Sequence, residues 1–199
     1  MSALCVDQVV ALVTFVAVGS GSPGPNNTLL LASGAGFGFR RTVRHVIGTS
    51  IGISLLVVIA AAGAAAIVTA APGVEFVMNV LASAYLLYLA FRLAGGVAVD
   101  RVSTPEPFSL QRGAAFQLIN PKGWFFAFAV VAGFTPSERS LFTDAMTLGI
   151  IAGVVVATAA GWALGGSALS RALATDRARR VAGVVLGLLL VASVVLLWV

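Results

Sequence analysis

The sequence predicts an all-α integral membrane protein with six transmembrane helices, and three observations indicate this fold class. Of the 199 residues, 59% are hydrophobic and only 10% are charged. The mean hydropathy of +1.04 is far above that of a soluble domain with a wetted surface. Uncharged apolar windows recur along the chain, and each is close to the roughly 20 residues that cross a hydrocarbon core of about 30 Å.

The apolar windows lie near residues 8–35, 46–70, 74–94, 113–134, 145–169 and 181–199. The first is interrupted by a polar cluster, and the others are continuous or nearly so. Stretches of this length, rich in Ala, Val, Leu and Gly and following one another without a polar domain between them, favour lipid as their surroundings. We therefore predict a multi-pass membrane protein.

Basic residues between the windows predict the orientation of the chain. The connections after the first, third and fifth windows hold ten arginines: Arg40, Arg41, Arg44, Arg92, Arg101, Arg112, Arg171, Arg177, Arg179 and Arg180. The other two connections hold only Arg139. Because arginine-rich loops stay in the cytoplasm, this asymmetry predicts three cytoplasmic connections and both termini outside. The asymmetry also supports the count of six transmembrane windows, since one window fewer would place arginine-rich loops on both sides of the membrane.

The longest polar connection divides the chain into two halves with three windows each. It predicts a first three-helix repeat at residues 1–95, a cytoplasmic linker at 96–111 and a second three-helix repeat at 112–199. Because three is odd, similar halves must have opposite orientations across the bilayer, as the inverted repeats of secondary transporters do. The halves share one feature, an Asn and Pro cluster in the first window of each.

The cluster in the first half is Ser22-Pro23-Gly24-Pro25-Asn26-Asn27. Proline lacks a backbone donor and clashes with the preceding turn, so Pro23 and Pro25 predict a helix broken in two. Backbone groups that are freed at membrane depth must be buried in protein or line a watered cavity. We expect Asn26 and Asn27 to cap the second half-helix or to bind a solute carboxylate at its positive N-terminus. A simple packing kink is the alternative.

The cluster in the second half is Asn120-Pro121-Lys122-Gly123. Lys122 follows Arg112 by about ten residues, which places it roughly 15 Å deep at about 1.5 Å per residue. A charge at the bilayer centre costs about 3 kcal/mol on insertion scales and normally faces a bundle interior or a cavity. We expect Lys122 to anchor a substrate carboxylate or to change its proton affinity during transport. The alternative is a structural charge that snorkels or pairs with carbonyl groups.

Two further pairs of residues lie three positions apart, a spacing that makes neighbours on a helix. Gln117 and Asn120 precede Lys122 and are predicted to contact each other. Tyr85 and Tyr88 lie near the cytoplasmic end of the third window. That position favours an interfacial aromatic belt over a lining of the pore, which stays the alternative.

The second window contains two features for which a structural role is predicted. Gly48 and Gly52 form a small-xxx-small pair, which usually lets helices approach closely. His45, the only histidine, follows Arg44 in a basic segment. We predict that it is a solvated residue of a cytoplasmic loop and not a proton relay.

Several classes of function lack their motifs in this sequence. There is no glycine-rich phosphate loop followed by lysine and no HExxH motif. The single cysteine, Cys5, excludes a cysteine-rich metal site. We therefore expect no enzymatic activity, no catalytic residue, no cofactor and no metal, and we assign the basic residues to topology and not to nucleic acid.

Five motifs share their order and spacing with those of a known family: Ser22-Pro23-Gly24-Pro25-Asn26, Arg40-Arg41, Gly48 with Gly52, Ala84-Tyr85-Leu86-Leu87-Tyr88-Leu89, and Phe116-Gln117-Leu118-Ile119-Asn120-Pro121-Lys122. Over essentially its whole length the chain resembles the LysE/RhtB family of amino-acid exporters. The resemblance implies a six-helix exporter of the bacterial inner membrane, which moves amino acids or their derivatives outward and is driven by the proton-motive force. Many relatives carry an aspartate where this chain has Ile53, which argues against a cationic substrate.

We predict a secondary exporter of neutral amino acids or similar small zwitterions. Its transport site would comprise Pro23, Gly24, Pro25, Asn26, Asn27, Gln117, Asn120, Pro121 and Lys122. Its partners would be the small-molecule substrate and the lipid bilayer, with proton coupling and a homodimer left open. Export of another small solute or cation is one alternative, although the windows hold few Asp, Glu, His or Cys ligands. A structural or regulatory membrane subunit without transport of its own is the other.

Overall fold

In a computed structural model, all regular secondary structure of the described residues is helical, and they contain no strand. The structure describes residues 5–64, 106–134, 140–172 and 176–195, and, within the third predicted window, residues 73, 76–77, 80, 83–84, 86–88 and 90–91. The all-α prediction is therefore confirmed for this part of the chain.

The helices in chain order are α1 (Val6–Gly21), α2 (Pro25–Phe37), α3 (Phe39–Ile59), α4 (Leu110–Leu118), α5 (Pro121–Phe134), α6 (Leu141–Ala172) and α7 (Asp176–Val195). Gly38 turns the chain from α2 into α3 with a φ of 77°, a conformation that L-residues rarely adopt. A π-helical turn, Ala60–Ala64, extends α3. The described residues between 73 and 91 are helical as well.

Both predicted helix breaks are confirmed. The first separates α1 from α2, which begins at Pro25, and the two helices are bent by 66°. The second separates α4 from α5, which begins at Pro121. Proline therefore occupies the first position of the second half-helix in each break. A backbone N–H at this position has no partner within the helix, so proline costs no hydrogen bond there, and its fixed φ suits the helix.

Only part of the predicted set of spans can be recognised from helix length and composition. Two helices are long and apolar enough to cross a membrane, at Phe39–Gly63 and Leu141–Ser170. The bent pair of α1 and α2 qualifies as a third span if it is taken as one. α5 and the segment Gly183–Ala192 of α7 are apolar but shorter. The described residues thus supply two or three spans, and the count of six in two inverted repeats stays a prediction.

Small residues lie where the helices approach most closely. A Cβ on Gly34 of α2 would overlap the backbone carbonyl of Ala163 in α6. Gly48 and Gly52 of α3 face α4, and a Cβ on Gly52 would lie only 2.7 Å from Cγ of Gln117. The packing role predicted for the glycine pair of α3 is therefore confirmed, and the pair brings the polar end of α4 close to α3.

The main apolar core lies where α1, α3, α5 and α6 meet. Its buried members are Leu12, Val16, Ile53, Leu56, Val57, Ala60, Ala127, Val130, Ile151 and Val155. On the outside of the bundle, large apolar side chains such as Val10, Leu55 and Leu188 remain exposed. Apolar side chains in such numbers on the outer surface suit contact with lipid tails.

Candidate transport site

The first break leaves carbonyl groups at the C-terminal end of α1 without helical partners, and side chains satisfy them. Asn27 Nδ2 donates to the carbonyl oxygens of Ser20 and Ser22 at 2.6 and 2.8 Å. Trp162 Nε1 of α6 donates to the carbonyl oxygen of Gly21 at 3.0 Å. Asn27, although it lies in the first turn of α2, therefore caps the end of α1.

Lys122 reaches from the first turn of α5 to the same break. Its Nζ donates to the carbonyl oxygen and Oγ of Ser22, both at 2.8 Å, and to the carbonyl oxygen of Pro23 at 3.2 Å. An ammonium group has three donors, so this conformation uses all of them. The carbonyl end of a helix carries partial negative charge, which the cation complements. A carboxylate that binds Lys122 must therefore displace at least one of these oxygens.

A buried hydrogen-bond network joins the two breaks and includes one residue of α3. Asn26 Oδ1 accepts hydrogen bonds from Thr49 Oγ1 at 3.2 Å and from Gln117 Nε2 at 2.8 Å. Gln117 Oε1 in turn accepts from Asn120 Nδ2 at 3.2 Å, which confirms the predicted contact between these two residues. All four side chains are buried. The second break is thereby tied to the beginning of α2.

One polar atom of this network has no partner among the described residues. Asn120 is 4% exposed, and its Oδ1 accepts no hydrogen bond from the residues that the structure describes. A buried acceptor without a partner costs about 1–3 kcal/mol. Asn120 is one of the residues that line the cavity between the breaks.

The cavity between the breaks has a volume of about 40 Å³. Its polar wall is formed by Ser20, Asn26, Asn27, Thr49, Gln117, Asn120, Lys122 and Thr158. The rest of its wall is formed by Gly19, Gly24, Ile53, Gly123, Phe126, Val155 and Ala159. Since one water needs roughly 10–15 Å³, this conformation has room for a few waters, and an amino acid requires a wider one. No carboxylate occurs among the described lining residues.

The chain matches the family model described as LysE type translocator over residues 17–198, which is most of its length. It belongs to the LysE type translocator family. The protein is thus a multi-pass membrane transporter and not an enzyme, as predicted.

Curated relatives of this LysE type translocator include efflux proteins. The chain is 26% identical over 166 residues to the cysteine/O-acetylserine efflux protein of Salmonella typhimurium, with 80% of this chain and 82% of the relative covered. It is 26% identical over 165 residues to the cysteine/O-acetylserine efflux protein of Escherichia coli strain K12, with 79% and 82% covered. No solved structure gives a significant match.

The predicted site residues of this translocator fall into three groups. The cavity is lined by Gly24, Asn26, Asn27, Gln117, Asn120 and Lys122. The breaks themselves are shaped by Pro23, Pro25 and Pro121. Tyr88 is 52% exposed and is not among the lining residues of the cavity, and Tyr85 lies outside the described residues.

Two polar residues of the translocator's α3 have interior positions that the sequence interpretation missed. The prediction of a solvated loop for His45 is wrong, because His45 lies within α3 and is 0% exposed. Thr49, one turn further, binds Asn26 and lines the cavity. The spacing of Thr42, His45, Thr49 and Gly52, every three or four positions, is the signal that identifies a common buried face.

Proposed function

We propose that this translocator is a secondary exporter of neutral amino acids or related small zwitterions across the bacterial inner membrane. Its family and its relatives named as cysteine/O-acetylserine efflux proteins support the proposal. The observation that carries it is the cavity between two broken helices. Among the described residues, its polar wall offers amides, hydroxyls and one ammonium but no carboxylate.

The transmembrane arrangement belongs to the same proposal. Six spans would form two inverted halves, with both termini outside and the arginine-rich connections in the cytoplasm. Contact between the broken first helix of each half, through Gln117 and Asn26 and through Lys122 and Ser22, supports this arrangement. Substrate sites of inverted-repeat transporters lie at such a repeat interface and are formed by discontinuous helices.

The charges at the cavity suit a zwitterion whose side chain is neutral. Gly24 and Asn120, which directly precede α2 and α5, line the cavity, so the N-termini of both helices lie next to it. The partial positive charge of these N-termini attracts a carboxylate. Lys122 would bind that carboxylate directly. The substrate ammonium would donate to the unpartnered Oδ1 of Asn120. A substrate with a cationic side chain would contact Ile53 and would meet no carboxylate on the described walls of the cavity.

Substrate binding would also act on the first break. Lys122 holds α5 against the junction of α1 and α2 through Ser22 and Pro23. When a substrate carboxylate takes the place of one of these oxygens, the junction loses a contact with the second half. The two halves can then rock relative to each other around the site, which exposes it to one side of the membrane at a time. We propose that inward proton movement drives this cycle.

The proposal is tested with the purified protein in liposomes loaded with labelled cysteine, O-acetylserine or another neutral amino acid. We expect flux from the protein alone, which a non-transporting subunit would not give. Lys122→Met should lower the initial rate about ten- to hundredfold, because a charge-assisted hydrogen bond contributes about 1.5–3 kcal/mol. Arg112→Met, which removes an exposed cation from α4, is the matched control and should retain flux.

Two outcomes would contradict the proposal. Full flux through Lys122→Met, with membrane insertion equal to that of the wild type, would remove the anchor role of Lys122. Absence of flux for every neutral amino acid, while a labelled cation is transported, would favour the alternative of cation export.

A further inference from the structure

His45 is a buried titratable side chain that none of the contacts described above uses. It is 0% exposed, and neither Nδ1 nor Nε2 has a hydrogen-bond partner among the described residues. A neutral imidazole has one N–H donor and one acceptor, so the buried ring leaves both unsatisfied. Buried polar groups without partners are rare in native structures and require an explanation.

Residues close to His45 line two cavities, although His45 itself lines neither. On one side it stacks on Phe108, with ring centroids 4.7 Å apart and an interplanar angle of 21°. Phe108 lines a cavity of about 380 Å³ together with Arg40, Arg41, Arg44, Glu106, Pro107 and Ser109, which we name the basic vestibule. Thr49 lies one helical turn along α3 from His45 and lines the transport cavity. Phe108 therefore covers the ring at the vestibule end.

No described carboxylate bonds to either ring nitrogen. The charged groups of α3 itself and of the segment packed against it are Arg40, Arg41, Arg44, Glu106 and Arg112, and all five are exposed. α2 carries no charged residue, and Lys122, the only charged residue of α5, binds Ser22 and Pro23. Asp144 of α6 lines a different cavity, beyond the C-terminal half of α3. The imidazole thus has no fixed ionic partner in this part of the chain, which suits a group that binds and releases a proton.

We propose that His45 carries the proton whose entry drives amino-acid export, an inference that rests on the proposed function. When the site faces outward, a ring nitrogen takes a proton from water in the transport cavity. When the site faces inward, Phe108 turns aside and the ring gives that proton to water in the basic vestibule. The proton thus passes between waters on the two sides, and the substrate crosses outward in the other half of the cycle.

The test compares two transport modes of the purified protein in liposomes. The first is substrate efflux with and without a pH gradient that is acidic on the receiving side. The second is exchange of labelled for unlabelled substrate at equal pH, which requires no net proton movement. His45→Gln should retain exchange, while the ratio of efflux with the gradient to efflux without it falls to about 1, because glutamine binds no proton. Thr42→Val, on the same buried face, is the control and should retain both modes.

The outcomes separate this inference from the proposed function. An equal response to the gradient in the wild type and His45→Gln would overturn the role of His45 and leave the exporter proposal intact. Loss of exchange in both His45→Gln and His45→Asn would show a structural role and would also overturn the inference. A wild-type protein that exports without any response to the gradient would reject proton coupling, and the role of His45 with it.

Discussion

The two helix breaks are alike in sequence but are held open in different ways. The carbonyls of the first break accept from the nearby Asn27 and also from Lys122 and Trp162, which lie 100 and 141 residues further along the chain. Those of the second break are satisfied locally, with the carbonyl of Gln117 accepting from the N–H of Asn120 and that of Leu118 from the indole of Trp124. The first break therefore depends in part on the arrangement of other helices, whereas the second is maintained by hydrogen bonds within its own short segment.

This difference assigns different tasks to the two breaks. A break that is held in part by distant donors changes when those donors move, so we expect the junction of α1 and α2 to be the part that responds to substrate. A break with local hydrogen bonds keeps its shape and can present Gln117, Asn120 and Lys122 in fixed positions. Predictions that alter one break and spare the other test this division.

The largest effect is expected where the two breaks are joined. Gln117→Met removes the donor to Asn26 and the acceptor of Asn120, which leaves two buried amides incompletely satisfied. We expect the free energy of unfolding to fall by about 2–4 kcal/mol, together with a loss of export. Chemical unfolding in detergent micelles and flux in liposomes measure the two effects.

Gln111→Met makes the same substitution at an exposed position of α4 and provides the control for Gln117→Met. It should leave both stability and flux close to those of the wild type. Equal effects of Gln117→Met and Gln111→Met would contradict the conclusion that the hydrogen bonds of Gln117 join the two breaks.

A matched pair of tryptophan substitutions compares the breaks directly. Trp162→Phe removes the partly buried donor to Gly21 in the first break, and Trp124→Phe removes the exposed donor to Leu118 in the second. The first should destabilise the protein by about 1–3 kcal/mol, and the second by less, because the backbone hydrogen bond from Asn120 to Gln117 still closes the second break. Chemical unfolding of both variants under one set of conditions gives the two losses of free energy of unfolding. A larger loss for Trp124→Phe would contradict the conclusion that a donor from α6 stabilises the first break.

The smallest effect on stability is expected at Gly24. Its φ of 173° is extended backbone that any residue adopts, but a Cβ there would lie 3.0 Å from Cδ and Nζ of Lys122. Gly24→Ala should therefore move the lysine, slow export and change the free energy of unfolding by less than about 1 kcal/mol. Gly153→Ala, where a Cβ meets open space, is the control, and equal flux in the two variants would show that the position of Lys122 is not critical.

The sequence predicted the features that depend on local backbone chemistry. Pro25 and Pro121 begin half-helices because proline has no N–H to donate, whatever surrounds it. The contact between Gln117 and Asn120 follows from their spacing on a helix. The direction of Lys122 and the caps from Asn27 and Trp162 were not predictable, because they depend on where α1 ends relative to α2, α5 and α6.

His45 shows how charge density misled the sequence interpretation. Three arginines just before it favoured a solvated loop, yet Gly38 ends α2 and α3 begins at once with Phe39. Arg40, Arg41 and Arg44 are exposed on the first turns of α3, while the helical period turns His45 inward. A helix that begins in a basic segment thus presents both a charged face and a buried polar one.

Lys122 is the only lysine of the chain, so its reactivity can be followed by itself. The most direct test of its role is the rate at which an amine-reactive reagent modifies Lys122 in liposomes, with the α-amino group as internal reference and peptide mass spectrometry as readout. A transported neutral amino acid should slow the modification of Lys122 in a saturable manner, whereas the corresponding amine without a carboxylate should not. Equal rates with and without the amino acid, or equal protection by the amine, would contradict the binding of the substrate carboxylate by Lys122 between the two breaks.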